Sequence, residues 1–200
     1  MMGPTRLHGS YWETEMPRYK EYCLRPIKDN DLTVVLGWRN SDRVRMHMYT
    51  DHIITEDEHR RWFERLSHDS TNHCLVFEEA ETLLGVVTVS RVDSRNNKCH
   101  WGFYIGDPAS SRGTGKRMGY LGLEFVFGEL QIRKLCGEAF AFNEASLRFH
   151  KEFGFREEGR FIQHVWKNGR YEDVIAMALF REDWDEMRDK MAARCFSHER

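Results

Sequence analysis

The residues best placed to do chemistry are Arg112-Gly113-Thr114-Gly115-Lys116, between an aromatic run from Cys99 to Ile105 and an apolar-periodic segment from Lys116 to Leu130. Two glycines one residue apart, just ahead of a helix, let backbone N–H groups converge on one point, where the helix dipole favours an anion. Arg112 and Lys116 add positive charge, which suits a diphosphate. The pattern is not a Walker loop, because Ser110 stands where its first glycine belongs and Arg117 follows Lys116. Nor is it the dinucleotide fingerprint, because Met118 stands at the third glycine. Two histidines, His100 in the aromatic run and His150 on a later helical stretch, are the candidates for proton transfer.

Elements that must position these residues follow from periodicity and turn chemistry. A strand at Tyr22 to Arg25 is stopped by Pro26, and a helix with Leu32, Val35, Leu36 and Trp38 inward follows, breaking near Asn40-Ser41-Asp42. Thr55-x-x-Glu58 is a capping box opening a second helix to Leu66. Strand-like runs at His73 to Glu78, Leu83 to Val92 and Cys99 to Ile105 are joined by links short enough only for an antiparallel meander. After the glycine turn come a helix from Lys116 to Leu130, a strand from Lys134 to Phe140, and a helix from Asn143 to Glu152 ended by Gly154. Phe155 to Trp166 and Tyr171 to Phe180 pair across Lys167-Asn168-Gly169-Arg170, and a charged helix closes the chain. The fold class is therefore α/β, an α+β mixed sheet. It divides into an unordered arm over 1–20, one domain over 21–181, and a helical tail over 182–200.

With 200 residues and a formal net charge of −2, the chain carries no field for nucleic acid or an anionic membrane. Five scattered cysteines and no C-x-x-C pair point to free thiols, no zinc site and a cytoplasmic location. No metal ligand set is expected.

The order of elements, with Arg112-Gly113-Thr114-Gly115-Lys116 after the third meander strand and Asn143-x-x-Ser146-x-x-Phe149-His150-x-x-x-Gly154-Phe155 later, resembles the GNAT superfamily of N-acetyltransferases over roughly Tyr22 to Phe180. The resemblance implies a sheet splayed between the strand ending near Ile105 and the strand starting near Lys134, with acetyl-coenzyme A in the gap. The backbone of Phe103, Tyr104 and Ile105 would bond the pantetheine amides, the amides of Arg112 to Lys116 would take the pyrophosphate, and Asn143, with Ser146 beside it, would hold the arm from the other side. It further implies direct attack of an amine on the thioester. Two positions depart from the family: Ser110 stands where Gln or Arg is usual, and His150 stands where a tyrosine is the presumed acid. An unperturbed histidine is about a quarter protonated near pH 7, so His150 is read as the general acid, with Tyr104, Tyr171 or water as alternatives.

Trp38, Arg39 and Asn40, the segment holding Met48, Tyr49 and His52, and Trp62 after an acidic run are similar to the N-acetyltransferases that modify nucleotide-linked amino sugars, as in the pseudaminic acid pathway. Aromatic and arginine planes suit a nucleobase and a diphosphate, although Trp38 and Arg39 equally read as a core cap and a surface charge. His100, where that pattern often has an acid, is a candidate base, with His52 as a second. A protein N-terminal or ribosomal-protein acetyltransferase and a coenzyme-binding module without activity stay open as alternatives. Whether the arm and tail close a homodimer is also open.

Overall fold

Residues 16–167 and 169–196 are described by a computed structural model. The three central strands, His73–Glu79 (β3), Thr82–Asp93 (β4) and Lys98–Ile105 (β5), are antiparallel, as their short links require. They carry apolar side chains on both faces because both faces are covered. Leu75, Phe77, Val87, Cys99 and Trp101 lie in one core, and Cys74, Val76 and Val86 in a second.

Tyr22–Pro26 (β2) pairs with β3, and Arg18–Tyr19 (β1) pairs with β2, so the chain has joined the sheet before residue 20, inside the stretch expected as an unordered arm. The earlier arm residues, Tyr11 and Trp12 among them, lie outside the described residues. Between β2 and β3 come Leu32–Asn40 (α1), Asp42–Arg45 (α2) and Glu56–Leu66 (α3). The expected capping box forms: the Thr55 hydroxyl accepts from the Glu58 N–H at 3.3 Å and the Thr55 N–H donates to Glu58 Oε2 at 2.8 Å. Arg25 fastens this region to the sheet by donating to Asp31 Oδ2 at 2.7 Å and Glu78 Oε2 at 2.8 Å.

Beyond β5 follow Thr114–Leu123 (α4), Lys134–Phe140 (β6), Glu144–Glu152 (α5), Arg156–Lys167 (β7), Arg170–Phe180 (β8) and Arg181–Phe196 (α6). The expected helix from Lys116 to Leu130 starts two residues earlier, and Glu124–Glu129 widens into π winding. Helix α6 is integral to the domain: Trp184 and Met191 are almost wholly buried, and Phe196 stacks on Tyr19.

The sheet runs β1-β2-β3-β4-β5-β6-β8-β7. Strands β5 and β6 are parallel and pair only from Lys98–Lys134 to Trp101–Gly137. Beyond that point β6 continues against β8 alone, and the sheet forks. This is the splay expected from the resemblance. Among the described residues no helix is long and apolar enough to cross a membrane, no cluster could hold a metal ion, and all five cysteines are free.

Candidate functional site

The fork opens a cavity of about 970 Å³ between the sheet and helices α1 to α3 and α5. Alternation along β5 sends Trp101 and Phe103 towards α5 and His100 and Tyr104 towards the other core. The fork leaves the backbone of 102–105 bonded on its β4 side only, so one edge is free to take an extended ligand as an added strand would.

Beyond the free end of that strand, Gly113 stands at the N-terminus of α4 with φ +97°, a left-handed conformation that a side chain would strain. The turn lies outside the cavity lining, at the start of a helix whose dipole and amides favour an anion. Two of its five amides are occupied: Thr114 N–H donates to Ser111 O at 3.2 Å and Lys116 N–H to Gly113 O at 2.9 Å. Arg112, Gly113 and Gly115 have no amide partner among the described residues. The Lys116 ammonium is paired with Glu152 at 2.6 Å, so Arg112 is the freer charge. Asn143 Oδ1 caps α5 by accepting from Ser146 N–H at 3.1 Å, which leaves only its Nδ2 for a pantetheine group. The free strand edge, the cavity beside it and the left-handed glycine beyond it fit a long coenzyme with a diphosphate at one end.

His150 differs from its expected state. It is 3 % exposed, enclosed by Trp101, Phe103 and Phe155, and burial pushes its imidazole down to about 4. Its Nδ1 donates to the Ser146 carbonyl at 2.8 Å, with the Ser146 hydroxyl at 3.3 Å, which leaves Nε2 as an unprotonated acceptor. A standing imidazolium acid is thereby excluded at neutral pH. Of the alternatives, Tyr104 lines the cavity with its hydroxyl pushed up by burial, while Tyr171 is exposed on the hairpin against Trp166. His100 also lines the cavity, and burial and then Arg91 push its imidazole down, so it is neutral and able to accept a proton.

Of the expected acceptor residues, Arg39, Met48, Tyr49, His52 and Trp62 line the cavity. Trp38 and Asn40 do not. Trp38 covers Gly106 so closely that a Cβ there would fall 2.0 Å from its ring, and Asn40 brackets Ile54 through Nδ2 to the carbonyl and Oδ1 from the N–H, both at 2.9 Å. Arg39 Nη2 donates to Thr50 O at 2.7 Å while Nη1 is buried without a partner among the described residues. Tyr49 donates to Glu138 Oε2 at 2.5 Å, and burial with that carboxylate pushes its hydroxyl up.

Sequence reasoning missed Arg61, Arg65, Arg91 and Glu138, all of which line the cavity. The i, i+4 spacing of Arg61 and Arg65 around Trp62 was the available signal. It also missed Lys167. That side chain is almost wholly buried, lies over Phe140, and donates to the Met48 carbonyl at 2.8 Å and to Asp51 Oδ2 at 3.3 Å. It ties the hairpin to the segment that carries Met48 and Tyr49.

A forked mixed sheet with a free strand edge, a left-handed glycine at a helix start and a cavity between them defines an acyl-coenzyme A-dependent transferase. The chain belongs to the GNAT acetyltransferase family, whose acetyltransferase domain it matches over residues 22–156. It is an N-acetyltransferase that uses acetyl-coenzyme A. It is 25% identical over 179 residues to the SPbeta prophage-derived uncharacterized N-acetyltransferase YokL of Bacillus subtilis, covering 88% of this chain and 96% of that one. It is 23% identical over 142 residues to acetyltransferase PseH of Campylobacter jejuni, covering 70% and 87%. The structure of spermidine N-acetyltransferase from Vibrio cholerae in complex with CoA and spermine superposes with a TM-score of 0.79 at 21% identity, covering 83% of this chain and 99% of that one. That likeness shows the shared fold.

Proposed function

We propose that the acceptor is a primary amine on an anionic carrier, a nucleotide-linked amino sugar, and not a polyamine. The observation that carries this reading is the charge of the cavity wall: five arginines, Arg39, Arg43, Arg61, Arg65 and Arg91, against two carboxylates, Glu58 and Glu138. Glu138 is already engaged by Tyr49. Arg61, Arg65 and Arg91 have no hydrogen-bonding or ionic partner among the described residues, and Arg39 keeps one buried donor unpaired. A polycation would meet this surplus of positive charge, whereas a diphosphate would satisfy it bidentately. Trp62, between Arg61 and Arg65, supplies a flat apolar plane for a base. The relatedness to PseH agrees with this reading, and the free thiols agree with a cytoplasmic location.

When bound, acetyl-coenzyme A supplies an acetyl group activated as a thioester. In this proposal the free edge of 102–105 holds the pantetheine arm, the amides of Arg112, Gly113 and Gly115 hold the diphosphate, and Asn143 Nδ2 and Ser146 line the arm's far side. His100, neutral at physiological pH, takes the proton that the incoming ammonium must lose.

Coenzyme consumption should be followed across UDP-, dTDP- and CMP-linked amino sugars, spermidine and N-terminal peptides. The reading expects turnover with a nucleotide sugar. Arg39→Ala and Arg61→Ala should each raise its KM about tenfold without altering acetyl-coenzyme A affinity. Spermidine turnover with silence from every nucleotide sugar would overturn it.

A further inference from the structure

Where β5 and β6 part, two side chains present complementary groups that nothing among the described residues satisfies. Trp101 is 6 % exposed, and its Nε1–H is buried with no acceptor among the described residues. His150 Nε2, an acceptor because Nδ1 donates to Ser146 O, makes no hydrogen bond among the described residues. Both nitrogens crowd the same spot on β6: a Cβ at Gly137 would lie 3.1 Å from His150 Nε2 and 3.2 Å from Trp101 Nε1. Glycine at 137 is what lets the two rings, set at 90° to each other, reach the strand. Both residues also line the cavity. A buried indole N–H is ordinarily paired, so this one marks a site for a partner from outside the chain.

We propose that Trp101 Nε1 and His150 Nε2 together seat one water molecule at the fork, and that this water relays the proton of the transfer reaction. A single atom must accept from the indole and donate to the imidazole, which water does and an amide of fixed trans geometry does not. With its oxygen accepting from Trp101 and one hydrogen on His150, its second hydrogen faces the cavity.

The proton count closes. The amine nitrogen bonds to the acetyl carbon and gives up one proton, the carbon–sulfur bond breaks, and the sulfur takes one proton. The water hands its outward proton to the sulfur and regains one from the nitrogen, so neither ring changes protonation state. Trp101 and His150 are positioning residues in this scheme, and it holds whichever amine is the acceptor.

The test begins without substrate. A high-resolution crystal structure of the full chain should show a water within hydrogen-bonding distance of both nitrogens, and nitrogen NMR should find His150 protonated on Nδ1 alone at pH 7. Trp101→Phe keeps an aromatic ring and removes the N–H. It should lose the water, leave the His150 tautomer and acetyl-coenzyme A affinity unchanged, and lower kcat at least tenfold for the amine that turns over best, with KM unchanged. Gly137→Ala, which crowds both nitrogens while altering neither, should reproduce that kcat loss. No water at the fork, a proton on His150 Nε2, or normal kcat in both variants would overturn the proposal.

Discussion

Replacing His150 by glutamine should remove a large part of the protein's sensitivity to acid. Burial holds the His150 imidazole at about 4, against 6.5 for the group in water. Above pH 6.5 neither the folded nor the unfolded chain carries this proton, and His150 adds no pH dependence. As the pH falls through 6.5 the unfolded imidazole takes up a proton that the folded one refuses, so folded stability declines until the buried ring itself titrates near 4. At about 1.36 kcal/mol for each unit between the two values, the complete loss is about 3 kcal/mol, of which about 2 kcal/mol has appeared by about pH 5. Urea unfolding of the wild type and His150→Gln at about pH 7.5 and about pH 5 measures it. His59, His73 and His100 are also pushed down by burial, but they are common to both proteins and cancel in the comparison. Equal acid losses in the two proteins would show that His150 is not held neutral, and the exclusion of an imidazolium acid would fail with it.

Lys167→Met keeps the aliphatic stem but removes the donor to the Met48 carbonyl and Asp51. It should cost about 1.5–3 kcal/mol in chemical denaturation, with the exposure of Asp51 keeping the ionic part small. The same variant should raise the KM for the acceptor and leave acetyl-coenzyme A affinity alone, because the freed segment carries Met48 and Tyr49 and no coenzyme contact. Gly119→Ala would place a Cβ 2.3 Å from the Phe149 ring, and the overpacking of about 1–3 kcal/mol should outweigh the gain in helix propensity. A Gly119→Ala protein more stable to urea than the wild type would contradict that packing.

What could be read from the sequence was local. The meander followed from short links, the Thr55 and Asn143 caps from their spacing, and the fork from the resemblance carried by the glycine turn. Helix α2, at four residues, is too short to show a period, and the π winding after Leu123 leaves no mark in residue types. Trp38, which the sequence also read as a core cap, and Asn40 pack away from the cavity lining, because the same residue types serve a binding wall and a packing joint. Lys167, beside a hairpin turn, has the sequence look of a solvated charge, and only the fold brings the Met48 carbonyl to it. The state of His150 was equally hidden, since Trp101, which encloses it with Phe155, comes from β5, far before α5 in the chain, and Phe155 from the turn just after α5.

The joint at Gly106 bears on how this scaffold can change. The Trp38 ring packs against that glycine, and Arg43 donates to its carbonyl, so both lock onto the loop that runs towards Gly113. Met46 to Ile54 is held differently, largely through its backbone: Arg39 donates to the Thr50 carbonyl, Arg45 to the Asp51 carbonyl and Lys167 to the Met48 carbonyl, and Asn40 brackets Ile54. Evolution or an engineer can therefore vary side chains such as Met48 for new acceptors while those backbone ties stand, whereas Trp38, Arg43 and Gly106 can be exchanged only as a set.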